Sequence, residues 1–451
     1  MRRKIYQELL QWKQRSGESA LLVQGARRVG KSYIVEAFAK AEYKSYILID
    51  FNLVDQPVKE MFEHDLVDLK TFFMKLTTYY GVKLYERESL IIFDEVQLFP
   101  RARSAIKYLV ADGRYDYIET GSLISIRENV KDILIPSEED HVDMYPLDFE
   151  EFLQIFNVGE PVLDMLRKAF TSKTPVDEVI HGKIMEMFNL YLIIGGMPAA
   201  VEKYRTTGNI DDVMDEHRAI IEQYKLDFTQ YEEENRKLII THIYELIPAE
   251  LNEKNKRFMI ADIKKGLRYD RIEDSFTWLW KAGVALGVFN TTEPTVPLML
   301  NEKSTLFKMF LSDVGLLTTI YGKACKLKIV SKEKDVNKGA VYENVVAQEL
   351  HAHGYSLYYY NSKKKGELDF VVEHAGRVLP IEVKSGKDYE KHSALDNVMA
   401  VAEYGIEEAY IFTNDNLKVN GKLTYLPIYM VMFLRDNPIG FIDISVDKFK
   451  L

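Results

Sequence analysis

Over the first third of the chain, short apolar runs alternate with amphipathic stretches. SALLVQG (19–25), SYILIDF (45–51), ESLIIFDE (88–95) and YDYIETGS (115–122) have strand length, and HVDMYPL (141–147) is a weaker fifth run. Between them, SYIVEAFAKA and VDLKTFFMKLTTYY carry apolar residues at helical spacing. Strands that are apolar throughout and separated by helices predict a parallel sheet covered on both faces. Ahead of them, Ile5, Leu9, Leu10 and Trp12 predict an amphipathic N-terminal helix.

The rhythm changes after Pro146. DFEEFLQIF (148–156), PVLDMLRKAF (161–170) and HGKIMEMFNLYLIIGG (181–196) read as helices, closed by Gly195-Gly196-Met197-Pro198. A charged helical stretch follows to about 235. Short helices and then SFTWLWKAGVALGVFN (275–290), with Trp278 and Trp280, suggest a winged helix-turn-helix. KLKIVSKEKDVNKG (326–339) is polar and lysine-rich, which predicts a linker. Beyond it a helix over 339–352 and the strands YSLYYYN, ELDFVVEH, RVLPIEVKSG, AYIFTN and LTYLPIYMVM restart an α/β pattern. The expected architecture is α/β in four segments. These are a P-loop parallel-sheet domain over 1–150, a helical lid over 151–235, a winged-helix-like region over 236–325, and a second α/β domain over 326–451.

Length and composition fit this division. The 451 residues allow about three domains of ~150 residues. Apolar residues at 47% and charged residues at 28% are ordinary for a globular chain. A single cysteine, Cys325, excludes an intrachain disulfide and a thiolate zinc site, and a reducing, cytoplasmic compartment fits best. A net charge of −10 argues against a surface coated for nucleic acid but leaves room for a local basic groove. No run approaches ~18 uninterrupted apolar residues, so no membrane partner is expected.

Gly25-Ala26-Arg27-Arg28-Val29-Gly30-Lys31-Ser32 matches G-x-x-x-x-G-K-[ST] between a predicted strand and a predicted helix. Such glycines let backbone N–H groups turn around phosphates, and the helix N-terminus adds positive potential. Lys31 can reach the β- and γ-phosphates of ATP, and Ser32 can offer its hydroxyl to Mg²⁺. Leu90-Ile91-Ile92-Phe93-Asp94-Glu95 ends an apolar strand in two acids. Asp94 can hold the Mg²⁺ shell, and Glu95 can orient or activate the attacking water. Thr120-Gly121-Ser122 ends the next strand, where a polar side chain can touch phosphate or water or simply form a turn. Arg101, Arg103, Arg114 and Arg127 are candidates by position for a transition-state arginine, although an arginine so placed is more often an ordinary solvated surface residue, and the sequence does not choose among them.

The last segment holds a second constellation. Asp369 opens the strand ELDFVV, and Glu382 and Lys384 lie two apart in IEVKSG, so they share a strand face. In a hairpin, the three meet. Two carboxylates can hold Mg²⁺ or Mn²⁺, and a lysine can position water or neutralise phosphate. Glu343, on the preceding predicted helix, can add a metal ligand. This is the D…E-x-K arrangement of restriction-enzyme and junction-resolvase cores; an ordinary solvated Glu–Lys pair is the alternative. Lysines 363–365 could meet a phosphate backbone or form a solvated loop.

GARRVGKS, LIIFDEVQ, ETGS, YPLDFEEFL, GGMP, LSDVGLL, GAVYENVVAQEL, ELDFVV and IEVKSG, in this order, resemble a family of prokaryotic ATPases. Its members join an AAA-type P-loop domain to a C-terminal domain of uncharacterised function with a restriction-endonuclease-like core. The resemblance implies that Gly25, Gly30, Lys31 and Ser32 bind nucleotide, that Asp94 and Glu95 serve Mg²⁺ and hydrolysis, and that Ser122 is a sensor. Family members often carry a Gly-Arg pair before PL-x-F, where this chain reads PSEEDHVDMYPLDF. Two functions compete: an ATP-driven protein that cuts or grips DNA, and an ATP-switched adaptor whose nuclease-like core only binds. A homo-oligomer or a protein partner is compatible with either. A small-molecule kinase would leave the C-terminal half unused.

Overall fold

The computed structural model describes residues 3–15, 17–122, 138–230, 234–253, 255–331, 338–386 and 389–436. They fall into two compact units. The first comprises Met1–Leu147, Met197–Ala199 and Thr277–Val284, and the second Asp148–Gly196, Ala200–Phe276 and Ala285–Leu451.

The first unit is built on a five-stranded sheet of β1 (Ala20–Gly25), β2 (Ser45–Asp50), β3 (Ser89–Asp94), β4 (Asp116–Ser122) and β5 (Glu139–Asp143), in the order β2-β3-β4-β1-β5. Every pairing is parallel. The apolar runs are explained by burial on both faces. In β3, Ile91 and Phe93 join Phe72, Phe73 and Leu76 of the helix Leu69–Tyr80 and Ile106 and Leu109 of the helix Pro100–Asp112. Leu90 and Ile92 instead join Leu9 and Trp12 of the helix Ile5–Gln14 and Ile34 and Phe38 of the helix Lys31–Glu42. Period-two alternation sends neighbouring side chains into different cores. Each such side chain, fully buried, contributes roughly 1.5–3 kcal/mol. β5 begins two residues before the expected run, and Met144 N continues the pairing by donating to Gln24 O at 2.7 Å.

The second unit opens on a capping box. Asp148 accepts from Glu151 N at 2.8 Å, and Glu151 accepts from Asp148 N at 3.2 Å, which starts the helix Phe149–Ile155 inside the PLDFEEFL segment. The helix Glu178–Ile194 ends at Gly195, where φ is +71°. Asp313 lies so close that a Cβ on Gly195 would stand 2.2 Å from its Oδ1. Its Oδ2 accepts from Gly196 N at 2.6 Å, so the GGMP and LSDVGLL segments meet.

The strands of this unit are β6 (Ala285–Thr291), β7 (Glu302–Leu311), β8 (Tyr358–Ser362), β9 (Gly366–His374), β10 (Arg377–Val383), β11 (Ala409–Thr413), β12 (Lys418–Asn420) and β13 (Leu423–Pro427). They form one mixed sheet in the order β12-β13-β11-β10-β9-β8-β6-β7. The expected winged-helix-like region therefore does not stand apart. β6 and β7 form an antiparallel hairpin, and β6 pairs in parallel with β8. Joining the larger sheet satisfies backbone groups that a free hairpin edge would leave open.

Two further expectations change. Residues 236–320 begin with a long helix, Glu234–Asn252, rather than several short ones. The expected linker is partly the helix Lys323–Val330, with Lys326 fully buried, and 332–337 lie outside the described residues. The Lys326 ammonium donates to Gly315 O at 3.2 Å, to Thr318 Oγ1 at 3.0 Å and to Ile193 O. Those oxygens make burial of a lysine tolerable, although desolvation still pulls its pKa down to about 7. Among the described residues, no single helix is long and apolar enough to cross a membrane.

Candidate functional site

The first site forms where β1, β3 and β4 end side by side. The register sets Gly25 against Ser122 and Phe93 against Glu119, which brings Thr120 beside Asp94. Gly25 has no room for a side chain, because a Cβ would lie 2.2 Å from Met144 O. Gly30 holds φ +97° and opens the helix Lys31–Glu42. These two glycines shape the turn, and between them Arg28 also sits at positive φ, +70°.

Lys31 is buried, and its ammonium donates to Gly25 O at 3.1 Å and to Ala26 O at 2.9 Å. Desolvation pulls its pKa down to about 8, against the opposing pull of Glu95 and Asp94. Ser32 Oγ donates to Asp94 Oδ1 at 2.7 Å. The Thr120 hydroxyl donates to the same Asp94 oxygen and accepts from Glu95 N at 3.3 Å. Glu95 adopts φ +54°, a conformation uncommon outside glycine, and its carboxylate accepts from Gln97. The loop is also clamped from the N-terminus: Arg3 donates to Val29 O at 3.0 Å and to Tyr145 O at 2.7 Å.

This arrangement brings together Gly25 to Ser32, Asp94 and Glu95. Thr120 is the residue that sequence reasoning undervalued. Its signal was present, since it lies in the same TGS segment as Ser122, but only the register shows which residue faces Asp94. The side chain of Ser122, and all of Arg127, lie outside the described residues. The other arginine candidates are engaged elsewhere. Arg103 is buried against Glu139 at 2.9 Å, Arg114 pairs with Asp112 at 2.6 Å, and Arg101 donates to Phe62 O at 3.4 Å. Burial in an ion pair removes Arg103 from the set able to reach a transition state.

The second site lies on the eight-stranded sheet. β9 and β10 are antiparallel neighbours with Ile381 opposite Phe370, which sets Glu382 beside Asp369. Val383 N donates to Asp369 Oδ2 at 2.9 Å, and the two carboxyls share a hydrogen bond. Lys384 Nζ stands 3.6 Å from Glu382 Oε1. Burial, then the Asp369 charge, push Glu382 well above the usual carboxyl range. Burial also works against ionised Asp369, but Lys308, the Glu382 proton and Lys256 outweigh it and hold Asp369 below its usual range. The two carboxyls titrate as a pair, with Glu382 displaced upward and Asp369 downward.

Glu343 joins from the helix Lys338–Ala352, 4% exposed. Its Oε1 pairs with Lys256, and its buried Oε2 has no hydrogen-bond partner. Lys308 of β7 is fully buried, 2.7 Å from Glu367 Oε1 and close enough to Glu343 and Asp369 for their charges to favour its own. Sequence reasoning missed Lys256 and Lys308. A lysine inside the apolar run LFKMFL was a usable sign for Lys308, because unpaired charge there would be costly; Lys256 gave none. Of lysines 363–365, Lys365 is engaged with the Tyr404 hydroxyl at 3.0 Å, while the other two are exposed. Glu343 Oε2 thus lies buried without a hydrogen-bond partner, and Lys308 is the counter-charge that Glu343, Glu367 and Asp369 have in common.

A parallel sheet ordered β2-β3-β4-β1-β5, a glycine loop opening a helix, and an acid at the end of β3 define the first unit as a P-loop nucleotide-binding domain of the AAA type. Consistent with this, residues 17–153 match the model of a family described as an AAA domain. Residues 185–326 and 338–431 match two families described as domains of unknown function, DUF8612 and DUF4143. An uncharacterised protein of Methanocaldococcus jannaschii, MJ1637, is 25% identical over 382 residues, spanning 77% of this chain and 71% of its own. Among solved structures, the Walker-type ATPase PABY2304 of Pyrococcus abyssi is 16% identical over 71% of this chain and 95% of that one, with a TM-score of 0.42. The Aeropyrum pernix Orc1 protein in complex with DNA is 10% identical over 76% of this chain and 92% of that one, with a TM-score of 0.28.

Proposed function

We propose that the chain hydrolyses ATP at the first site and acts on nucleic-acid phosphodiesters at the second. The observation that carries the first half is the Ser32–Asp94–Thr120 constellation beside Lys31, in which one buried carboxylate oxygen receives two hydroxyls. Lys31 exchanges the Gly25 and Ala26 carbonyls for phosphate oxygens and meets their charge. The backbone N–H groups at the start of the helix Lys31–Glu42 cradle the same phosphates. Ser32 and Asp94 are the residues to hold Mg²⁺, which when bound neutralises phosphate charge. Glu95, fixed through its N–H by Thr120, orients the attacking water.

For the second half, Asp369, Glu382 and Glu343 are the residues to hold Mg²⁺ or Mn²⁺, which supplies charge stabilisation at a phosphodiester. Lys384 positions water or neutralises the phosphate. The competing reading, an ATP-switched protein whose C-terminal site only binds, has an observation in its favour: Lys256 and Lys308 already neutralise much of the acidic cluster.

Labelled linear, single-stranded and branched DNAs, incubated with Mg²⁺ or Mn²⁺ with and without ATP, separate the two. Cutting by wild type and not by Asp369→Ala supports a nuclease, and its ATP dependence reports whether the sites communicate. No cutting by either leaves the binding-only reading.

A further inference from the structure

The helix Lys338–Ala352 leads, at its C-terminal end, to a third constellation. Glu349 and His353 lie one helical turn apart, and His353 N donates to Glu349 O at 3.0 Å, so both side chains leave one face. Asp148 meets them from the start of the helix Phe149–Ile155, 205 positions from His353 in the chain. All three residues belong to the second unit, which the chain enters at Asp148. Their side chains are buried.

Each carboxylate is held by one oxygen and offers the other. Asp148 Oδ1 accepts from Glu151 N, and Glu349 Oε1 accepts from Phe149 N at 2.9 Å and from the Tyr191 hydroxyl at 3.2 Å. Asp148 Oδ2 and Glu349 Oε2 both turn to His353 Nε2, at 3.2 and 3.7 Å. The other ring nitrogen limits what Nε2 can be. Nδ1 stands 2.9 Å from Leu434 O, which can only accept, so Nδ1 carries a proton. In a neutral ring Nε2 is then a lone pair aimed at two oxygens that carry lone pairs of their own. A cation resolves this, either a second ring proton or a metal ion.

The spacing favours the metal. One N–H serves one good hydrogen bond, whereas three ligand atoms within 4.8 Å of one another surround a single point. Around a tetrahedral ion with bonds of roughly 2.0–2.2 Å, ligand atoms stand about 3.3–3.5 Å apart. The observed 3.2 and 3.7 Å bracket that separation. A ring N–H on a backbone carbonyl is also the outer support that metal-bound histidines carry.

We propose that Asp148, Glu349 and His353 bind a divalent cation of the zinc class. An imidazole nitrogen beside two carboxylate oxygens suits Zn²⁺ or Co²⁺ better than Mg²⁺ or Ca²⁺, which take oxygen ligands. The two carboxylates balance its charge. The ion pins the first residue of the second unit to the end of the helix Lys338–Ala352, and through the ring it reaches the Leu434 carbonyl. Held by the folded chain alone, it stabilises that unit.

The test is Co²⁺ titration of the full chain without nucleotide, after dialysis against chelator, read by visible absorption and by displacement with Zn²⁺. Wild type, Asp148→Asn, His353→Gln and Asp369→Ala are compared. Asparagine caps a helix as well as aspartate, so Asp148→Asn removes the ligand charge and keeps the helix start. One equivalent is expected in wild type and in Asp369→Ala, with affinity lower by roughly 100-fold or more in the other two. X-ray absorption of Zn²⁺-loaded wild type, which needs no variant to fold, should show one imidazole among oxygen ligands. No tight Co²⁺ or Zn²⁺ binding by wild type, or binding that survives both Asp148→Asn and His353→Gln, overturns the site and leaves an imidazolium between two carboxylates.

Discussion

Replacing Thr120 with valine asks whether this residue organises the nucleotide site. The side chain is fully buried, and valine has nearly its shape, so no cavity forms. What is lost is one hydroxyl serving two partners: a donor to Asp94 Oδ1 and an acceptor for Glu95 N. A hydrogen bond to a charged group is worth roughly 1.5–3 kcal/mol, and the neutral one to Glu95 N adds about 1 kcal/mol. Ser32 remains on Asp94, so the carboxylate is not abandoned. The first unit should lose about 2–4 kcal/mol, read as an earlier unfolding transition in urea. Without its anchor, the strained Glu95 backbone can relax and carry the carboxylate off the water. At tenfold per ~1.4 kcal/mol, steady-state ATP hydrolysis should fall roughly 10- to 100-fold in kcat with a smaller change in KM. Ser122→Ala, at the position that sequence reasoning favoured as sensor, is the comparison. Wild-type turnover by Thr120→Val would refute the reasoning.

Two further expectations concern the same site. Lys31→Ala should abolish tight ATP binding, and in wild type the affinity should fall as pH rises through about 8. The sign follows from the charge: the protonated lysine binds phosphate, so binding takes up a proton above that pH, which calorimetry in buffers of different ionisation enthalpy detects. Unchanged affinity in Lys31→Ala would remove the lysine from the phosphate site. Glu95→Gln should retain ATP binding and lose most turnover in a phosphate-release assay; normal turnover would show that another group orients the water.

Much of the first unit is legible because local signals and the fold agree. The runs LLV and LIIF are apolar at successive positions, which only a strand covered on both faces needs, and GARRVGKS sits at the strand-to-helix turn that gives the motif its meaning. The second unit is less legible. The run from Trp278 to Asn290 suggested a wing because a hairpin looks the same in sequence whether or not another strand docks on it. The stretch from Lys326 reads as linker because its lysines look solvated, and nothing local announces the carbonyl oxygens of Ile193 and Gly315 that receive one of them.

The sequence by itself therefore determined the elements that depend on neighbours along the chain: the five strands, the phosphate loop, and the face shared by Glu382 and Lys384. Tertiary structure alone decided what depends on pairing between distant segments. Strand register chose Thr120 as the partner of Asp94, and the edge pairing of β6 with β8 merged an expected separate domain into one sheet. Packing brought Lys256 and Lys308 to acids that follow them by 87 and 59 positions in the chain. Periodicity encodes which face a residue occupies, but which residue lies across from it is set by long-range contacts whose free energy no local pattern carries.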